Sequence, residues 1–425
     1  MSGLYYQVIR VTDFGPYVTK LILAMPEAVT KEDLCPEQFS VFVEVRNAQG
    51  DVVKVPKSFI ERDIMEPSRG YRTVTDVYPC TAEGEKAEGS SRFAALELAY
   101  GPLYKCSSAL VADFSNVNGH EFFAVCDYKV TLTQPVGEKR MAGLVFDTCA
   151  KVYCPQRERF MNSISHGSIP LQYGYYTPDL TGGKKPLIVW LHGAGEGGQD
   201  IAIAYAGNKV TELTEKWVQD KFGGAFVFVP QCPTMWLDDG SGQYGDSGNS
   251  MYVKALKEAI DEFIARFADV IDTDRIYVGG DSNGGFMTVR MIMDYPEFFA
   301  AAFPICEAMP DKRISDEQIG YLKDLPIWFT HCKTDPIVVP DLYVLPTYHR
   351  LIAAGAGNVH MTYWDAITDI HEGFKTADGK PWEYMGHFAW IPMLNDDCRL
   401  DFDGSPVTYE GKEVTLLDWL SMQHK

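Results

Sequence analysis

The sequence predicts a mostly parallel α/β sheet with helices on both faces, preceded by a smaller all-β sandwich. Three observations lead there. Residues 1–140 are rich in Val, Thr, Tyr and Phe and alternate polar with apolar positions between Gly, Pro, Asn and Asp clusters, the period of half-buried strands. From about Leu171 the pattern becomes apolar run, loop, then apolar residues at helical spacing, repeated along the chain. At 425 residues the chain exceeds one ordinary core, so two domains, 1–140 and 141–425, are expected.

In the first half QVIRV, YVTKLILAM, FSVFVEVRN, RTVTDVYP, FAALELAY, ALVADF and EFFAVCDYKVTLTQ read as about seven short strands without a helix, the signature of a sandwich. Pro135–Arg140 (PVGEKR) reads as the linker. No cluster of nucleophile, base or metal ligands stands in this half, so a chain starting near Val145 is expected to retain the chemistry. In the second half LQYGYYTP, PLIVWLHG, AFVFVPQ, RIYVGG, AAAFPICEA, LPIWFTHC and VHMTYWD read as strands. Met251–Ala268, GFMTVRMIMDY before Pro296, and LPTYHRLIAA before Gly355 read as helices. Open sheets of this kind carry their sites just beyond the carboxyl ends of the strands.

Composition narrows the function classes. The chain is 46% hydrophobic and 13% aromatic, which is globular, and its net charge of −20 argues against nucleic acid and anionic membrane as partners. No apolar run approaches the ~20 residues of a membrane span. The N-terminus MSGLYYQVIRV lacks a basic segment followed by a long apolar one, and the ten cysteines form no CxxC pair, so a cytoplasmic location is expected, with secretion after removal of a signal peptide as the alternative. A small molecule is the expected partner, and a homo-oligomer is compatible with it.

The richest segment is IYVGGDSNGGFMTV, Ile276–Val289. Gly280-Asp281-Ser282-Asn283-Gly284 is G-x-S-x-G between a strand and a helix, where a strained turn projects the hydroxyl above the sheet and small neighbours let the helix pass close to the strand. A nucleophilic serine needs a base and an acid from later strand ends. Asp335 follows LPIWFTHC, and His387 follows VHMTYWD in the stretch MGHF, giving the order Ser, Asp, His. His371 is the rival base. His387 is preferred because Gly386 permits a tight approach and FAWIPML can anchor a helix. His331 reads as a strand-end residue.

WLHGAGEGGQD raises a second question. Gly193, Gly195 and Gly198 fit G-x-G-x-x-G, a dinucleotide fingerprint whose ribose acid would be near Glu215. The second strand, however, ends in Gln231-Cys232-Pro233, with no acid. The competing reading is an oxyanion loop, in which the backbone N–H groups of Ala194 and Asn283 face a tetrahedral intermediate and His192 orders the loop. It accounts for four segments where the fingerprint accounts for one.

With HGAGE, GGDSNGG, KTDPIV and GHFAW in place, residues 160–425 resemble the α/β-hydrolase superfamily, more narrowly carboxylesterases related to prolyl-oligopeptidase-like, feruloyl-esterase-like and polyhydroxybutyrate-depolymerase-like hydrolases. The whole chain is similar to EstA-type esterases with an N-terminal immunoglobulin-like domain. The resemblance implies Ser282 as nucleophile, Asp335 as acid, His387 as base, Ala194 and Asn283 as oxyanion donors, and no cofactor; no metal is expected because neither the cysteine spacing nor the acid cluster fits a metal pattern. A carboxylesterase is expected, with a peptidase or an acetyl-xylan or feruloyl esterase as alternatives. Gln231 and Trp236 are the substrate-binding candidates, Trp236 by stacking at a pocket rim. Trp382 and Tyr384, before His387, are further wall candidates. Asp238, Asp239 and Asp246 read as solvated turn acids.

Overall fold

The computed structural model describes residues 2–56, 64–113, 120–137, 141–242, 244–245 and 247–425. The chain divides into two compact units, residues 1–112 with 122–156, and residues 113–121 with 157–425.

The first unit is an eight-stranded ladder of β1 (Ser2–Thr12), β2 (Gly15–Val29), β3 (Phe39–Arg46), β4 (Arg69–Arg72), β5 (Val74–Cys80), β6 (Ser91–Leu98), β7 (Val125–Leu132) and β8 (Val145–Tyr153), in the order β4-β3-β7-β8-β1-β2-β6-β5. All neighbours are antiparallel except β1 and β8. The two edge strands, β4 and β5, are separated in sequence by Thr73 alone, so the ladder must fold over until its edges meet, which makes two layers of one sheet. The stretch RTVTDVYP, expected as a single strand, breaks at this residue. In β3 and β7 buried and open positions alternate, placing Val41, Val43, Val45, Tyr128 and Val130 inside. Buried Arg72 donates to the carbonyls of Val18, Ala99 and Cys106, and to Tyr128 Oη, so its charge is surrounded by acceptors.

The boundary expected at 140 lies instead after Gln156. VFDTCAKVY is an eighth strand of the first unit, paired with β1 and β7. Within the expected linker, Glu138–Arg140 lie outside the described residues, while Val136 and Met141 bridge each other across them.

The second unit is built on β9 (Met161–Ile164), β10 (Gln172–Tyr176), β11 (Lys185–Leu191), β12 (Phe226–Gln231), β13 (Ile271–Asp281), β14 (Ala301–Ile305), β15 (Ile327–Cys332) and β16 (Val359–Trp364), ordered β9-β10-β12-β11-β13-β14-β15-β16. The six strands from β12 to β16 are parallel, and β9 and β10 form the antiparallel edge. The helices are α1 (Ile201–Ala206), α2 (Lys216–Phe222), α3 (Val253–Arg266), α4 (Asn283–Asp294), α5 (Asp316–Leu322), α6 (Val344–Ala353), α7 (Trp390–Leu394) and α8 (Leu416–Met422).

Strand alternation sends side chains to opposite faces, and each face has its own helices. Ile276, Val278, Ile327 and Phe329 share one cluster with Leu256, Phe263, Met287 and Leu351 of α3, α4 and α6. On the other face Tyr277 meets Phe222 of α2, and Trp328 meets Trp419 of α8. The central strands are therefore buried throughout, which is why PLIVWL is a continuous apolar run. Among the described residues, no helix is long and apolar enough to cross a membrane.

Candidate active site

Ser282 sits between β13 and α4 at φ 54° and ψ −111°, a left-handed backbone that costs a non-glycine residue about 1–3 kcal/mol. Its surroundings hold it there. Ser282 donates its N–H to the Ile305 carbonyl at 2.9 Å. The turn also passes so close to β11 that a Cβ on Gly280 or Gly284 would stand 2.1 or 1.8 Å from the Leu191 carbonyl oxygen, so both positions require glycine.

Beyond the same strand ends lie the other two expected residues. His387 Nε2 is 2.9 Å from Ser282 Oγ, and its Nδ1 is 2.8 Å from Asp335 Oδ2. Asp335 Oδ1 accepts the amides of Ile337 and Val338 at 2.8 and 3.0 Å. Gly386 lies against the backbone of Thr334 and Asp335, where a Cβ would have only 2.6 Å, and this contact delivers His387 to the acid loop. Burial alone would raise the Asp335 carboxyl. Hydrogen bonds from His331 and His387, the His387 charge and the Val338 amide outweigh it and hold the group well below the ordinary carboxylate range. The sequence reading missed the part played by His331, which is fully buried with Nε2 3.2 Å from Asp335 Oδ2 and 2.9 Å from the Val338 carbonyl. His371 pairs with Asp397 at 2.9 Å and is not part of this chain of hydrogen bonds.

The glycine loop after β11 is clamped from several sides. His192 Nδ1 is 2.6 Å from the Gly193 carbonyl, and its Nε2 accepts the Cys232 amide at 2.9 Å. One nitrogen donating and the other accepting fixes a neutral imidazole, and burial pushes it down to about 4. Gln231 donates Nε2 to the carbonyls of Glu196 and Asp200 at 2.9 and 2.8 Å. The Glu121 amide donates to the Gly195 carbonyl at 2.8 Å, a contact with no local signal in the sequence. Asn283, first residue of α4, accepts the Trp236 amide on its Oδ1 at 2.6 Å. Ala194 and Gly195 are partly open, whereas His192, Gly193 and Glu196 are buried.

Two expectations are corrected. Trp236 is not at a rim: it is 0% exposed and packs on His192 and Tyr252, so no substrate reaches it. Gln231 is likewise buried and is spent on the loop carbonyls, which makes it a support for the loop and not a substrate contact. The dinucleotide alternative fails on geometry too. The segment after the glycines is only the short α1, and Glu215 pairs with Arg159 at 2.7 Å. Tyr384 is buried and donates to Asp369, while Trp382 is half-buried. Asp238 and Asp239 accept the amides of Gly240 and Ser241 as turn acids, and Asp246 lies outside the described residues.

Two sequence families match this chain, one described as esterase Ig-like N-terminal domain over residues 4–143, the other as phospholipase/carboxylesterase over residues 181–365. Feruloyl esterase B of Neurospora crassa is 30% identical over 161 residues, covering 36% of this chain and 49% of the relative. The probable acetylxylan esterase A of Aspergillus fumigatus is 29% identical over 164 residues, covering 37% and 39%. The chain spans less than half the length of either relative. A solved thermostable esterase has the same fold over 99% of both chains, with a TM-score of 0.70 at 23% identity.

Proposed function

We propose, for a chain that belongs to the α/β-hydrolases with an esterase Ig-like N-terminal domain, a serine carboxylesterase activity on small or medium carboxylic esters. The observation that supports it is the continuous chain from Ser282 Oγ through His387 to Asp335. Ser282 Oγ attacks the ester carbonyl carbon while His387 Nε2 takes its proton, and Asp335 holds the Nδ1–H tautomer and stabilises the imidazolium. The tetrahedral oxyanion faces the N–H groups of Ala194 and Asn283, with Gly195 beside them. Collapse expels the alcohol, which leaves with the proton from His387. Water, deprotonated by the same imidazole, then hydrolyses the acyl-enzyme and restores the serine.

The test is kinetic. Wild type is expected to give a burst of aryl alcohol on an aryl acetate and to turn over a peptide anilide far more slowly. Ser282→Ala should lose both phases. Equal or faster turnover of the anilide would replace this reading with a peptidase. Feruloyl esters and acetylated xylan, which the names of the relatives suggest, complete the substrate panel.

A further inference from the structure

The loop that carries Ala194 and Gly195 is gripped by carboxyl groups from three stretches of chain. On one side, a Cβ on Gly193 would stand 2.7 Å from Asp281 Oδ2 and 2.9 Å from Glu196 Oε2. On the other, a Cβ on Gly195 would stand 3.3 Å from both Cγ and Cδ of Glu121. Glu121 belongs to the segment 113–121, which groups with the second unit although it precedes that unit's sheet in sequence. Beside it the His120 ring covers Gly197 and Gly198, at 3.0 and 3.4 Å from their would-be Cβ positions.

Among the described residues no cation lowers these three acids. His192 is fixed as a neutral ring by its two backbone partners. Burial pushes His120 down, and burial pushes the Cys306 thiol near Asp281 up, so neither contributes charge. Asn208 donates its amide to Glu196, and Asp281 Oδ1 is buried with no hydrogen-bond partner among the described residues. Burial raises Glu121 and Asp281 to about 7 and lifts Glu196 well above the carboxylate range; Glu121 adds to the rise at the other two. The rise favours the protonated form at all three, including Glu121, whose residue is only half-buried.

We propose that Glu121 is a positioning residue of the oxyanion loop, its side chain packed on Gly195 so that the loop amides stay turned towards Ser282. The proposal rests on the reading of Ser282 as nucleophile and of residues 192–198 as the oxyanion loop. Oxyanion donors act through being held in place before charge develops. A neutral acid set behind the loop provides that hold and leaves the field of the amides intact. Once ionised, the same set places negative charge behind the point where the oxyanion forms and opposes it. The side chain of Glu121 acts through the loop, where it packs on Gly195.

The experiment compares Glu121→Ala and Glu121→Gln with wild type on a soluble aryl ester from mildly acid to alkaline pH, alongside fluorophosphonate labelling of each protein. Glu121→Ala is expected to lower kcat about 10- to 100-fold with KM changed less than about threefold, the mark of lost transition-state stabilisation. Glu121→Gln, neutral and of the same shape, should recover most of that loss and should extend the alkaline limb of kcat upwards, because one titrating member of the set is gone. Wild-type kcat and pH profile in a folded Glu121→Ala would overturn the proposal. So would a Glu121→Gln profile unchanged from wild type, which decides the matter even where the Ala protein does not fold. If wild type itself is not labelled at Ser282, the esterase reading fails; if it is labelled and Glu121 proves silent, only the proposal for Glu121 fails.

Discussion

Asp335 and Asp281 are both buried within the second unit, at 4% and 2% exposure, and both stand near Ser282. They titrate in opposite directions. Asp335 meets two backbone amides and two imidazoles and is held well below the ordinary carboxylate range. Asp281, next in sequence to Ser282, has an oxygen with no hydrogen-bond partner among the described residues and two acids nearby, and rises to about 7. Two buried carboxyls beside the serine are therefore shifted in opposite directions. What decides is the number of donors aimed at each carboxyl. The first environment suits a group that must steady an imidazolium; the second suits a neutral support behind an oxyanion.

The widest gap between the two acids should appear on removing charge alone. Asp335→Asn is expected to lower kcat by about 10⁴, because the amide favours the wrong His387 tautomer. Asp281→Asn, in which a neutral isostere replaces an acid whose proton is held more tightly, should cost less than about tenfold. Comparable losses, read from kcat on one aryl ester, would break the contrast.

Stability against pH separates them next. Asp335, depressed in the fold, contributes stability that is present above its unfolded value of ~4 and is lost as pH falls through its folded value. Asp281 and Glu121, raised to about 7, contribute stability that is full below ~4 and is lost as pH rises through about 7. Urea unfolding of Asp281→Asn at mildly acid and neutral pH should show a shallower fall than wild type. An unchanged slope would mean that Asp281 is ionised in the fold.

His331 sharpens the comparison on the Asp335 side. Replacing it with Asn removes a donor from Asp335 and leaves more of the carboxylate for His387, so the acid limb of kcat/KM should move to higher pH with a loss in kcat of about three- to tenfold. A profile identical to wild type would make His331 a packing residue only. Trp236→Ala should lower thermal stability, by about 3–5 kcal/mol for a buried Trp, more than it changes acyl-chain selectivity. The smallest effect is expected for His371→Ala, whose kcat should match wild type; a large loss there would transfer the role of base.

These differences also mark how far the sequence could be read. The elbow at Ser282 is a local signal, since glycine spacing, strand and helix lie within about fifteen residues. Asp335 and His387 were legible from chain order and from falling after strands. The strand β8 was not, because of its nine residues only Phe146 is buried and no alternation reveals it. The break at Thr73 has no turn residue to announce it. Trp236 looked like a rim residue because it sits in a long polar loop, yet packing on His192 and Tyr252 buries it. Glu121 had the least signal, for its meaning depends on a loop more than seventy residues later. It also changes the expectation for a chain starting at Val145. Such a chain would lack Glu121 and leave β8 without β1 and β7, so it should be poorly folded or low in kcat.

One serine, strained at the end of β13 and tied to His387 and Asp335, is proposed to form the acyl-enzyme. Mass mapping of a fluorophosphonate adduct tests it most directly. A single stoichiometric adduct is expected on the peptide containing Ser282, absent in Ser282→Ala, with activity lost in step with labelling. An adduct on a different serine, or full ester hydrolysis with Ser282 unmodified, would contradict it.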